Sequence, residues 1–324
     1  MVTVASNLQK PQLILKVAKM PLISLLSSDE AYLKAFEVFL RHVTARQAIL
    51  KIINENTAEA VKRSENSRSR RRNGENGGPR YSVLGVGSAD GQNDLVILGI
   101  ITKHLSSLNQ GKPEVFSRII EPNTHELQAF KAAVTQIPLS VKKLAELSFE
   151  WVPTTFQEYS NNRHQPNSFN LIHFIHSLYY MDAESTLLHC YDKELKRNGV
   201  ILCLVQTEDS YFPKMRKKYL GMLNFGLTFY TTEEIVSIAK KHFWKHELRT
   251  SRFRVDITKC YDETSEEGSL LLDFLTHQQN FRLFADRELL ASMMAFLTDM
   301  SQVDEKGSRH LNGEMGAVFI YKQE

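Results

Sequence analysis

The chain predicts an α/β protein, a doubly wound sheet of mainly parallel strands with a smaller region added after it. Three observations carry this reading. From Arg80 onward, short apolar runs alternate with stretches of helical periodicity, the pattern of parallel strands joined by crossover helices. The segment LGVGSADGQNDLVIL at 84–98 takes an apolar strand into a glycine-rich turn that opens a helix. Glu121, 34 positions after Gly87, ends a second apolar strand in RIIEPN at 118–123.

Taken in order, residues 1–28 carry Lys10, Lys16 and Lys19 and no acidic residue, and read as a flexible leader, with an amphipathic organelle-targeting segment as the other reading. Residues 29–61 read as an N-terminal helical cap. Ser28 or Asp29 starts a helix there, and Tyr32, Phe36, Phe39, Leu40 and Val43 recur at helical spacing. Residues 62–79 hold too few apolar side chains to bury and read as a basic, disordered linker; RSRRR at 68–72 also fits a nuclear address. In the core at 80–208, YSVLGV, VFSRIIE, SFEWV, NLIHFI and GVILCLVQT are strands, with helices over 93–107, from Thr124 and over 183–196. In residues 209–324, LRTSRFRVDITKCY (248–261) reads as strands and 270–281 and 288–300 as helices. MGAVFIYKQ closes the sheet in antiparallel fashion. These additions and the N-terminal helix form the wall of a binding site.

Composition narrows the function. Apolar residues make up 42% of 324, yet no apolar run approaches the ~18 residues a membrane helix needs. Cys190, Cys203 and Cys260 are odd in number and lack Cys-x-x-Cys or His spacing, which argues against a disulfide framework or a zinc site and for a reducing, cytoplasmic setting. Residues 62–80 hold seven Lys/Arg against two Asp/Glu, leaving 33 basic and 35 acidic residues elsewhere. A fold so balanced has no footprint for nucleic acid, and small-molecule chemistry gains.

The glycine turn and the strand-end acid indicate an adenosine-containing cofactor. Gly85, Gly87 and Gly91 are spaced one residue too long for the dinucleotide fingerprint, and the acid comes late. S-adenosylmethionine, which has no phosphate, fits better: Glu121 can take both ribose hydroxyls, and its charge suits a cation.

DEAYLKAFEVFLRHVTARQ, LGVGSADGQNDL, IIEPN, FEWVPTTFQEY, LIHFIHSLYYMD and LLLDFLTHQQNF, in that order, resemble the histamine N-methyltransferase family from about residue 25 to the end. The resemblance implies a Rossmann-like class I methyltransferase sheet, S-adenosylmethionine as cofactor, a small amine or imidazole as acceptor, and a monomer. It puts Gly87 under the methionine part of the cofactor and Glu121 on its ribose. Glu126 stands at a family glutamine, Thr155 or Phe156 at the serine beside the adenine, and Ile175 at a backbone contact.

On the acceptor side, Tyr32, Phe36, Tyr180 and Phe274 keep aromatic character. The family's amine-binding glutamate becomes Ala45, the glutamine beside the methyl donor becomes His176, and two pocket tryptophans become Phe212 and Arg216. Its C-terminal asparagine aligns with Gly313, next to Asn312. His176 is thus the catalytic candidate. The loss of an acid at Ala45 and the arrival of a guanidinium at Arg216 both favour an acceptor with a carboxylate, such as carnosine or histidine. A cofactor-binding relative without turnover, with a binding or regulatory role, is the second reading.

Overall fold

A computed structural model describes residues 21–64, 80–108, 111–162, 168–226 and 228–323. It starts with β1 (Ile23–Ser24), α1 (Asp29–His42) and α2 (Ala45–Ser64). The alternating part is β2 (Arg80–Val86), α3 (Gln92–Ser106), β3 (Glu114–Ile120), α4 (Thr124–Thr135), α5 (Leu139–Leu144), β4 (Glu146–Val152), α6 (Phe156–Asn161), β5 (Phe169–Ile175), α7 (Ala183–His189) and β6 (Leu195–Gln206). There follow α8 (Tyr211–Lys218), α9 (Thr232–Lys241), β7 (Lys245–Asp256), α10 (Glu266–Thr276), β8 (Gln278–Gln279), α11 (Phe281–Phe284), α12 (Arg287–Asp299), β9 (Ser301–Val303) and β10 (Arg309–Tyr321).

The main sheet has the order β4-β3-β2-β5-β6-β10-β7, with β9 on the end of β10. Strands β2 to β6 pair in parallel, and β10 runs antiparallel to both β6 and β7. Alternate residues of each inner strand enter opposite cores. Leu171, Leu202 and Leu204 join the side covered by α2 and α3, whereas Ile172, Phe174 and Cys203 join the side of α7 and α9. Burial on both faces explains the near-continuous apolar runs of the sequence. Order reverses between β2 and β5, and ligands of such sheets sit at the carboxyl ends of strands there. Among the described residues no helix is long and apolar enough to cross a membrane.

Several sequence expectations are corrected. Of the leader, residues 21–28 are built into the fold, and 1–20 lie outside the described residues. β1 pairs antiparallel with β8, and Leu25, only 1% exposed, gives its N–H to the His277 carbonyl at 2.8 Å. Ser28 caps α1 by accepting from the Ala31 N–H. The linker starts later than 62, because α2 continues to Ser64, whose hydroxyl meets the Tyr81 hydroxyl at 2.5 Å in a buried contact; residues 65–79, with RSRRR, lie outside the described residues. α2 is a sheet-covering helix, with Ile52, Ile53 and Val61 at 1% exposure or less. The helix expected over 183–196 stops at His189, a π turn follows at Cys190–Glu194, and Leu195 already belongs to β6. The strand reading of 248–261 holds to Asp256, after which Thr258–Tyr261 form a 3-10 turn. The helix of 270–281 ends at Thr276 with His277 in the left-handed region.

Leu25 is almost wholly buried. Leu25→Ala is expected to destabilise the fold by about 2–5 kcal/mol, read as a lower urea midpoint at unchanged slope.

Candidate active site

The strand ends at the reversal are locked together. Gly87 follows β2 with φ +65° and gives its N–H to the Ile120 carbonyl at 2.8 Å. A Cβ there would lie 2.5 Å from the Ser177 Cβ, so the position admits glycine alone without a shift. Ser177 donates its hydroxyl to the Val86 carbonyl at 2.5 Å. His176, between β5 and Ser177, has φ 54° and gives its N–H to the Leu204 carbonyl at 3.0 Å. A left-handed histidine costs about 1–3 kcal/mol and persists only where its surroundings fix it.

Glu121 is 6% exposed just past β3. Its carboxylate accepts from the Ala89 N–H at 2.9 Å and the Asn123 N–H at 2.8 Å, which holds the glycine turn against the β3 end. Beneath the turn, Asp94 accepts from the Ser88 hydroxyl at 2.7 Å and lies 3.2 Å from His173, both side chains buried. A Cβ on Gly85 would strike Asp94 and Ser88 at 2.5 Å. The first turn of α3 therefore presents a buried carboxylate, the wrong sign for a pyrophosphate. A cradle without Cβ, a strand-end carboxylate with spare lone pairs and no anion site fit a cationic adenosine cofactor, with Gly87 and Glu121 as the residues to hold it.

Beside this cradle stands an aromatic cage. On α1, Tyr32 and Phe36 stack at 5.7 Å, and Phe274 of α10 lies 5.5 Å from Phe36 and 4.3 Å from Phe39. Phe274 meets the His277 ring at 5.8 Å, which in turn meets Phe212 at 5.3 Å and Phe229 at 5.6 Å. Phe229 reaches Tyr179 at 5.2 Å, and Tyr179 reaches Tyr180 at 4.7 Å. Tyr180 closes the circuit toward the cofactor end: burial and then the nearby Glu121 charge raise its pKa. Arg216, one helical turn from Phe212, lies over the Phe229 ring at 5.1 Å and donates to the Phe229 carbonyl at 3.0 Å. Burial lowers its pKa. A cleft of about 400 Å³ opens between Gln157, Tyr179, Tyr180, Asp182, Gly226 and Tyr230.

The expected residues thus divide. Tyr32, Phe36, Tyr180, Phe212, Arg216 and Phe274 converge, and Gly87, Glu121, Ile175 and His176 share the strand ends. Glu126 lies in the first turn of α4, half-buried, 3.9 Å from His125. Thr155 spends its hydroxyl on the capping box of α6, and Phe156 is buried against Phe174 and His189. Asn312 is corrected by parity. In β10, Leu311 and Met315 join the core of Phe212 and Phe253, and the Gly313 position meets the Phe253 ring, so Asn312 faces the other side. Ala45, 9% exposed at the start of α2, offers no charge. Sequence reading missed Ser177, Tyr179, Phe229 and His277; the polar run HQQN after an apolar helix was the available sign of a chain reversal at His277.

Burial holds both imidazoles neutral. It lowers the His176 pKa from 6.5 to about 4. It does the same at His277, where the Phe225 carbonyl opposes and the Arg216 charge assists. For either histidine the unfolded chain binds a proton below 6.5 that the fold refuses until about 4, so stability is full above that window and lost as pH falls through it. Asp273 acts oppositely. Burial raises it from 3.8 to about 6 against the Phe281 and Asn280 N–H groups, so its protonation favours the fold on acidification. The urea midpoint is expected to fall between pH 6.5 and 4, and less steeply in His277→Asn, which tolerates the left-handed backbone.

No protein-family model matches the chain. Histamine N-methyltransferase B of Xenopus laevis is 29% identical over 274 residues, 82% of this chain and 86% of the relative. Carnosine N-methyltransferase 2 of Gallus gallus is 27% identical over 259 residues, 78% of this chain and 74% of the relative. The solved structure of a loganic acid methyltransferase with SAH superposes with TM-score 0.50 at 9% identity, over 86% of this chain and 95% of that one, a likeness of fold. In sequence the chain is similar to histamine N-methyltransferases, and with the cradle of Gly87 and Glu121 and the neighbouring aromatic cage it is an S-adenosylmethionine-dependent N-methyltransferase.

Proposed function

We propose that the protein methylates a ring nitrogen of a small imidazole that carries a carboxylate, of the kind found in carnosine or histidine. The observation that carries this is Arg216, whose guanidinium is drawn out of the solvated Lys214, Lys217 and Lys218 face of α8 to lie against Phe229 and near His277. A half-buried guanidinium in an aromatic cage is a fork for a carboxylate. Ala45 supports the same reading, since an ammonium finds no acid there, and one relative is named for carnosine. Small-molecule chemistry, with no nucleic acid or membrane partner, suits a cage of this size. The buried thiols of Cys190, Cys203 and Cys260 suit a reducing, cytoplasmic compartment.

Bound S-adenosylmethionine supplies an electrophilic methyl group, the methyl–sulfur electron pair remaining with sulfur when a nitrogen lone pair takes the carbon. Glu121 and Gly87 hold the donor, and the cage aligns the acceptor and excludes water; alignment of this sort is worth several kcal/mol, on the order of 7–11 at best. A neutral imidazole has its lone pair ready near pH 7, so no strong base is required. His176, neutral at the end of β5, would hydrogen-bond the acceptor beside the cofactor cradle.

Incubation with methyl-labelled S-adenosylmethionine and histamine, histidine, carnosine or simple amines, followed by mass spectrometry, tests the reading. Methylated carnosine or histidine in excess of histamine is the expected result; histamine as the preferred acceptor overturns the carboxylate assignment. Arg216→Ala is expected to raise KM for the carboxylate-bearing acceptor roughly tenfold or more and to leave histamine little changed. An equal effect on both removes Arg216 as carboxylate fork. His176→Asn, which keeps the left-handed backbone, is expected to lower kcat on the order of tenfold with S-adenosylhomocysteine binding intact; unaltered turnover retires His176.

A further inference from the structure

His277 is held in an arrangement that the fold alone does not use. It ends α10 at φ 56°, is 7% exposed, and is ringed by Phe212, Phe225, Phe229 and Phe274. Its backbone is pinned by Leu25, whose N–H meets the His277 carbonyl at 2.8 Å. The Phe225 carbonyl lies close enough to the imidazole to oppose the burial that lowers its pKa, and Nδ1 is buried with no hydrogen-bond partner. A buried ring nitrogen without a partner is costly, and its place among the cage aromatics points to a partner brought by the ligand.

We propose that Nδ1 of His277 accepts a hydrogen bond from the N–H of the acceptor imidazole, leaving the acceptor's other nitrogen to present its lone pair for methylation. The proposal rests on the reading of the aromatic cage as the acceptor site. It makes His277 a specificity-determining residue that chooses the acceptor tautomer and hence which ring nitrogen is methylated, while Arg216, close enough to influence the His277 ring, takes the carboxylate of the same molecule. After methylation the ring is cationic, and the proton pointing at Nδ1 is the one the product loses to solvent on release.

Calorimetric titration of imidazole and N-methylimidazole into the S-adenosylhomocysteine complex of the full chain tests this, because the second compound lacks the N–H. The wild-type complex is expected to prefer imidazole by about tenfold, and His277→Phe to lose that preference while S-adenosylhomocysteine still binds. The same preference in both proteins overturns the His277 assignment and leaves the cage reading standing. Failure of the wild-type complex to bind either compound overturns both. If His277→Phe does not fold, nitrogen NMR of the wild-type complex decides. The His277 Nδ1 resonance is expected to move with imidazole and to stay with N-methylimidazole, and no movement with imidazole overturns the assignment.

Discussion

The hydroxyl of Ser177 on the Val86 carbonyl is the contact on which the site depends. Through it the end of β5 lies against the end of β2, closely enough that Gly87 has no room for a Cβ. The neighbouring bonds extend the same line outward. Gly87 N–H holds the β3 end at Ile120, and His176 N–H holds the β6 end at Leu204. The carboxyl ends of β3, β2, β5 and β6 are thus latched across the reversal of strand order. Each bond contributes only about 1 kcal/mol net, yet together they set the glycine turn, the Glu121 carboxylate and His176 in one frame. The left-handed backbone at Gly87 and at His176 is the local cost of turning both chains sharply out of a parallel sheet.

Charge is divided across this frame. The cofactor end carries buried carboxylates at Glu121 and Asp94, and the acceptor end carries aromatic rings, two imidazoles that burial keeps neutral, and the guanidinium of Arg216. A cationic donor is favoured on the first side. On the second, burial that would penalise an ammonium leaves a neutral ring unpenalised, and under the proposed reading Arg216 would meet an anionic group. The division follows from which residues are buried together, since the whole chain is nearly balanced in charge.

The alternating core was legible because parallel strands buried on both faces leave unmistakable apolar runs, and because the turn of Gly87 and the acid of Glu121 have few other uses. The acceptor residues came from the resemblance and not from periodicity: Tyr32, Phe36 and Phe274 look like ordinary core positions on α1 and α10. What escaped was set by single backbone angles or by distant partners. β1 has two residues and pairs with a strand more than 250 positions away, which no local pattern records. The helix over 270–281 looked continuous because its break depends on one left-handed residue, His277. Asn312 failed on strand parity, where one position of register sends a side chain through to the other face. Thr155 is a polar residue with a local use, the capping box of α6, that the resemblance did not show.

The two ends of the chain's acceptor wall meet at one carbonyl. Leu25, before α1, bonds the His277 carbonyl, and α1 itself packs its aromatic stripe on Phe274 of α10. The N-terminal segment therefore does more than cover the cavity. Displacing it would free the backbone that holds His277 in the left-handed region and separate Tyr32 and Phe36 from Phe274, removing both halves of the cage together. The cradle of Gly87 and Glu121 is completed by the strand ends alone, whereas the aromatic cage exists only when the first helix and the tenth are docked.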